Sequence, residues 1–147
     1  MELRTNTDMI VIHCAATKAS MDIGYKEIRE WHVDQNGWDD VGYHYIIKRD
    51  GTLEVARPVG FKGAHAPSVN STSIAICLVG GMADDNGPEN NFTLEQLFSL
   101  KDAIEMLLKK YPHIKEIVGH SDVQENKPNC PGFPLKEWLH KENIKGG

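Results

Sequence analysis

Runs of apolar and β-branched residues recur along this chain, separated by polar segments rich in glycine, proline and asparagine. Runs of about four to eight such residues predict β-strands. The five runs are Met9–Cys14, Tyr43–Lys48, Thr52–Val55, Ser73–Val79 and Glu116–His120. An Asp-Gly pair lies between the second and third runs. Because Asp-Gly is typical of a tight turn, these two runs are predicted to form an antiparallel hairpin.

Helical periodicity marks three further segments, Asp22–Gln35, Thr93–Tyr111 and Leu135–Glu142. The second is the strongest, because its leucines and isoleucines recur at helical spacing. Thr93 and Gln96 have the spacing of a capping box at its start. Strands that alternate with helices predict an α/β fold. We expect a mixed, twisted sheet of about five strands flanked by helices, with the long helix on one face.

Length and composition predict one globular domain over residues 1–147. Apolar residues make up 40% of the chain and charged residues 25%, as in ordinary globular proteins. The net charge is −5, and the sequence has no basic run longer than Lys109-Lys110, which argues against nucleic acid as a partner. The first apolar run, Met9–Ile12, is too short for an export signal or a membrane span, so we expect synthesis in the cytoplasm without membrane insertion.

The three cysteines lie in two different settings. Cys14 and Cys77 stand in strongly apolar strands, so we expect both to be inert thiols of the core. Cys130 instead stands in a polar, proline-rich loop, where packing does not account for a thiol. A chemical role is therefore predicted for Cys130.

Two histidines close predicted strands. His13 ends the first strand and His120 the last, at the sheet edge where ligand sites of α/β proteins usually lie. Cys130 follows His120 by ten residues and can complete a His-His-Cys set, which with an open fourth position is typical of catalytic zinc. Spacing alone does not settle this, because a single histidine at a strand end is more often an ordinary hydrogen-bonded residue than a metal ligand. Structural or surface roles are predicted for the histidines His32, His44, His113 and His140.

Four blocks of sequence occur together between about Met9 and Trp138. They are Val11–Thr17; Asp40–Thr52; Gly63–Ala66 with Asn70 and Ser73–Gly81; and Gly119–Val123 followed by Cys130-Pro131. In this order they closely resemble the small phage lysozymes of the type 2 N-acetylmuramoyl-L-alanine amidase and peptidoglycan recognition protein superfamily.

The resemblance implies an amidase that cuts peptidoglycan between the lactyl group of N-acetylmuramic acid and L-alanine. It implies one Zn²⁺ per chain, held by His13, His120 and Cys130. Residues matching Tyr43 and Lys127 assist catalysis: the lysine stabilises the developing oxyanion, and the tyrosine orients water or passes a proton. In the family the lysine commonly stands two residues before the metal cysteine, whereas Lys127 stands three before Cys130.

His65 and Asn70 match substrate-side positions of the family; the alternative for Asn70 is that it caps a turn. The resemblance also implies a monomeric phage endolysin that acts on peptidoglycan without a separate wall-binding domain. Such an enzyme leaves the cytoplasm through a membrane lesion made by another protein. A thin, Gram-negative wall is its natural target.

Two other classes of function stay open. The first is a module that only binds peptidoglycan, as in superfamily members that have lost the third ligand; Cys130 and Tyr43 argue against it. The second is a cysteine hydrolase that uses Cys130 with His120. It would resist chelators and be blocked by thiol reagents, but no helix start follows closely behind Cys130 to activate its thiolate.

Overall fold

A computed structural model describes residues 1–144, and the last three residues of the predicted domain lie outside the described residues. Its strands are β1 (Met9–Cys14), β2 (Thr17–Lys18), β3 (Tyr45–Ile47), β4 (Leu53–Val55), β5 (Ser73–Leu78), β6 (Gly81–Met82) and β7 (Glu116–Gly119). Its helices are α1 (Tyr25–Arg29), continued by a π-helical segment over Glu30–Gln35, α2 (Leu94–Lys110), α3 (His120–Val123) and α4 (Leu135–Lys141). Within residues 1–144 no helix is long and apolar enough to cross a membrane.

The five predicted strands form one mixed sheet in the order β4-β3-β5-β1-β7, which confirms the expected α/β fold. β1 lies between β5 and β7 and is parallel to both, and β3 is parallel to β5. β4 pairs with β3 in the antiparallel direction, as the Asp-Gly turn predicts. Gly51 has a φ of +90° in that turn, a conformation that glycine adopts without strain. β2 and β6 form a separate two-stranded sheet.

The two faces of the sheet bury different cores. The even-numbered side chains of β1 and β5 pack with α2 and α4 on one face. Ile28 of α1 packs with Cys77 and Val79 on the other. Side chains alternate along a strand, and His13 pairs in register with Cys77, so His13 lies on the α1 face. The long helix therefore covers the face opposite this histidine.

Several element boundaries differ from the predicted ones, and three of the differences are informative. The second predicted strand begins at Tyr45 rather than at residue 43, so Tyr43 lies in the segment that leads into the sheet. The last strand ends at Gly119, whose backbone N–H donates to the Asp122 carboxylate (2.9 Å), and His120 begins α3. The first helix begins at Tyr25, where Glu54 accepts the backbone N–H (2.8 Å). Hydrophobic spacing does not show its change from α to π geometry.

The predicted capping box at the start of α2 is present. Thr93 Oγ1 accepts the backbone N–H of Gln96 (3.1 Å), and Gln96 Oε1 accepts that of Thr93 (3.0 Å). We expect Thr93→Ala to lower the free energy of unfolding by about 1–2 kcal/mol, because the cap is lost. Urea denaturation measures this change. Thr5→Ala, at an exposed threonine, is the control, and an equal effect at both positions would contradict the role of the cap.

Candidate metal centre

His13, His120 and Cys130 lie together beside the carboxyl ends of β1 and β7. Their candidate ligand atoms all lie within 4.8 Å of one another, and the two imidazole centroids are 4.2 Å apart. Pairing of the two strands places Ile12 opposite Gly119. The next residue along the chain is a histidine in both cases, His13 at the end of β1 and His120 directly after β7, so the two rings lie side by side.

Cys130 returns to this cluster on the loop after α3. Its carbonyl accepts the backbone N–H of Ser121 (2.9 Å), and its Sγ accepts that of Cys14 (3.1 Å). A hydrogen bond with the Cys14 thiol, together with burial, raises the pKa of the Cys130 thiol well above its usual range. Such a thiol ionises when a cation binds it, because the cation stabilises the thiolate.

The donor set fits a zinc ion. Zinc bond lengths of about 2.0–2.3 Å place tetrahedral N and S ligands about 3.3–3.6 Å apart, so the observed spacing has to close by at most about 1.5 Å. Burial, more than any other effect, lowers the pKa of His13 well below its usual value and also lowers the pKa of His120. Both rings are therefore neutral near pH 7, which is the form that binds a metal.

Two cavities meet at the cluster, with volumes of about 370 and 490 Å³. Tyr43, His120 and Lys127 line both of them. The first cavity continues along the Gly81–Met82 strand and the loop of residues 126–130. The second is walled by His32, Trp38, Ala64, His65, Pro67, Asn70 and Gln124. The cleft thus has two arms that diverge from the candidate metal centre.

Tyr43 and Lys127 stand at the junction of these arms. The Tyr43 ring centroid is 5.1 Å from that of His13. Burial first, and then the neighbouring thiols, raises the pKa of Tyr43 well above its usual value, so the phenol keeps its proton at neutral pH. Lys127 is exposed, and after the larger effect of burial its positive charge also lowers the pKa of His13 and of His120. Lys127 thus lies beside the cluster despite its shifted position in the sequence, and its part in catalysis stays a prediction.

His65 and Asn70 lie on the wall of the second cavity, but their polar atoms are engaged within the protein. Asn70 Oδ1 accepts the backbone N–H groups of His65 (3.0 Å) and Ala66 (2.9 Å). This is the turn-capping role. His65 Nδ1 lies 2.8 Å from His13 Nε2, and His65 Nε2 lies 3.1 Å from Ser73 Oγ. Contact of either residue with substrate stays a prediction, and it would use the remaining edges of these side chains.

Cys14 and Cys77 were both predicted to be inert thiols of the core, and the structure agrees with this prediction for Cys77 alone. Cys77 is fully buried, as predicted for a core thiol. Cys14 is partly exposed and lines the first cavity, so its assignment to the inert core was wrong. It is the last residue of β1, where the sheet ends and the cleft begins. An apolar run does not reveal that its final side chain faces a cavity.

Two of the other histidines have the structural contacts that were predicted for them. His44 is buried and has a structural role as predicted: its Nδ1 accepts the backbone N–H of Ala75 (3.0 Å) and its Nε2 donates to the Phe61 carbonyl (2.8 Å). His32 lies in the last turn of the π-helical segment, as predicted for a helix-end residue, and its Nδ1 accepts the backbone N–H of Gly42 (3.0 Å). Its ring also lines the second cavity, which the sequence did not indicate. Ser73, whose Oγ lies 3.1 Å from His65 Nε2, was not singled out from the sequence, where it is only a polar residue at the start of a buried strand.

Comparison with known proteins identifies a family model and a phage endolysin that match most of this chain. A model of the family described as N-acetylmuramoyl-L-alanine amidase matches residues 3–133. The endolysin of Klebsiella phage KP32 is 45% identical over 141 residues, which cover 96% of this chain and 91% of the relative.

Solved structures agree with the sequence comparison. The endolysin N-acetylmuramoyl-L-alanine amidase LysCS from Clostridium intestinale URNW superposes with a TM-score of 0.81 at 33% identity, over 98% of this chain and 88% of that chain. Drosophila PGRP-LB has the same fold, with a TM-score of 0.75 at 24% identity over 95% of this chain and 82% of that chain.

Proposed function

This chain belongs to the N-acetylmuramoyl-L-alanine amidase family, and from that premise we propose that it is a zinc-dependent enzyme of bacterial cell-wall lysis. It hydrolyses the amide between the lactyl group of N-acetylmuramic acid and L-alanine in peptidoglycan. The observation that carries the proposal is the convergence of His13, His120 and Cys130 where two cavities meet. The similar phage endolysin supports a role in lysing the host.

The residues around the centre supply complementary chemistry. Zinc held by two imidazoles and a thiolate would polarise a carbonyl group and make water nucleophilic near neutral pH. Lys127, which lines both cavities, would offer a positive charge to the oxyanion that develops during amide hydrolysis. Tyr43 keeps its proton, so its hydroxyl can orient the attacking water or pass a proton to the leaving amine.

The two-armed cleft suits a substrate that extends on both sides of the bond that is cut. Its cavities of about 370 and 490 Å³ are in the size range of ligand pockets, about 300–1,000 Å³. The muramoyl amide joins a sugar on one side to a peptide on the other. A site with Tyr43, His120 and Lys127 at the junction gives each side its own space.

The two other classes of function fit less well. A cysteine hydrolase needs a thiol whose pKa is lowered, whereas a hydrogen bond and burial raise that of Cys130. Its partner His120 also points Nε2 at Gln124 Oε1 (2.5 Å). A module that only binds peptidoglycan has no need for the complete donor set or for Tyr43 and Lys127 beside it.

The chemical nature of the products tests the proposal. Purified protein with muropeptides should release new L-alanine amino termini without new reducing sugar ends, as read by mass spectrometry. A chelator should stop the reaction and added Zn²⁺ should restore it. Among the described residues that line the two cavities, none is an aspartate or glutamate, whereas glycosidases need two carboxylates. New reducing ends, or full activity in the chelator, would contradict the proposal.

A further inference from the structure

Ser73 is fully buried at the start of β5, four residues before Cys77, which pairs with His13. Its hydroxyl group donates to the Val69 carbonyl (2.6 Å) and lies 3.1 Å from His65 Nε2. A carbonyl oxygen can only accept, so the single hydroxyl proton of Ser73 is committed to Val69. Ser73 Oγ must therefore accept its second hydrogen bond, and His65 Nε2 must carry the proton.

The same reasoning extends from His65 to His13. Both rings are buried, and burial favours the neutral imidazole, which carries one N–H. With its proton on Nε2, His65 presents a lone pair at Nδ1. That lone pair lies 2.8 Å from His13 Nε2 and accepts the N–H there. His13 is left with its own lone pair on Nδ1.

We propose that Ser73 is a positioning residue of the metal centre: acting through His65, it holds His13 in the tautomer that presents Nδ1 to the metal. The inference rests on the proposed function, because it takes His13 as a zinc ligand. His120 is held in the corresponding way by a different side chain. Its Nε2 lies 2.5 Å from Gln124 Oε1, an acceptor, so Nδ1 is again the free donor atom.

The series of hydrogen bonds through Ser73, His65 and His13 begins at the Val69 backbone carbonyl, which can only accept a hydrogen bond. Each later hydrogen bond therefore has one direction, and His13 is oriented before any metal arrives. Partners of this kind typically change metal affinity by about 10–100-fold when they are removed. Ser73→Ala removes one oxygen from a buried site with almost no change in volume, so it tests the relay and not the packing.

The test measures tautomers and zinc affinity in the full-length protein. In metal-free protein, long-range ¹H–¹⁵N NMR spectra should show His13 and His65 with their protons on Nε2. Ser73→Ala should populate the other tautomer and raise the Kd for zinc about 10–100-fold. Ser99→Ala is the control: it removes a hydroxyl that donates to the Gly51 carbonyl (2.5 Å) on the α2 side of the sheet, so neither quantity should change.

A second pair of variants decides the matter if Ser73→Ala does not fold. An asparagine at position 65 can place Oδ1 near the place of the imidazole Nδ1 and accept from His13. His65→Asn should therefore retain more zinc affinity than His65→Ala, and equal loss in both would overturn the inference. Wild-type protein that binds no zinc refutes the proposed function, while its tautomers still test the relay. Zinc binding and tautomers that are unchanged by Ser73→Ala refute only the relay.

Discussion

Replacing Cys130 with serine abolishes zinc binding and hydrolysis together while leaving the fold intact; this is the result we expect. A serine hydroxyl is a far poorer zinc ligand than a thiolate, and two imidazoles alone do not complete the set. Turnover should fall by about three orders of magnitude or more, the scale of several kcal/mol of lost charge stabilisation. Cys130 stands in a loop, so circular dichroism should be unchanged. Elemental analysis measures the zinc content, and muropeptide assays measure the rate of hydrolysis.

Cys14→Ser provides the matched thiol control. Cys14 lies beside Cys130; its backbone N–H, which donates to Cys130 Sγ, is kept in the variant, and a serine hydroxyl can replace its thiol as a hydrogen-bonding partner. Zinc content should therefore stay at about one per chain. A Cys130→Ser protein that keeps both its zinc and its activity would refute the metal centre. Loss of zinc from both variants would show that the cavity wall, not the ligand set, had been disturbed.

Lys127→Ala and Tyr43→Phe should each lower kcat by about two orders of magnitude, the usual cost of losing one donor that stabilises an oxyanion. Neither side chain belongs to the donor set, so zinc content should not change. KM should change little, because the lost interaction is made in the transition state and not in the bound substrate. Steady-state kinetics beside zinc analysis separates this result from loss of the metal.

The control for the lysine is Lys109→Ala. Lys109 is also exposed, but it belongs to α2, which covers the opposite face of the sheet. Removing it changes the net charge equally and should leave kcat unaltered. If Lys127→Ala retains near-full turnover, then Lys127 is a solvated loop charge. Zinc, or another donor such as His65, would then hold the oxyanion.

The sequence predicts most strands and helices because their limits depend on residues that are close together in the chain. β1 has the predicted limits, since its apolar residues follow the polar stretch that ends at Asp8. The capping box of α2 depends on residues three apart. The two-residue strands β2 and β6 were not predicted, because Thr17 and Gly81 pair only once the larger sheet has brought them together. The order of the strands in the sheet likewise depends on contacts between distant segments.

In the candidate site, too, local sequence indicates some residues, whereas contacts between distant segments appear only in the structure. Cys130 stood out in the sequence because a polar loop gives a thiol no packing role, and the structure brings it to His13 and His120. The contacts of His65 with His13 and Ser73 link a loop with two strands. No spacing along the chain encodes such contacts. Tyr43 and Lys127 were located through family resemblance, and both lie on the wall that the two cavities share, while their catalytic roles stay predictions.

The pairing of β1 with β7 also determines when the candidate metal centre can form during synthesis. His13 emerges early in synthesis, but the strand that brings His120 beside it starts at Glu116. A contact between residues so distant in sequence closes late, because the intervening chain must first be ordered. A nascent chain still short of β7 has neither His120 nor Cys130. Under the proposed function, a chain interrupted before Cys130 therefore lacks two of the three ligands or the third alone, and it should bind no zinc and hydrolyse no substrate.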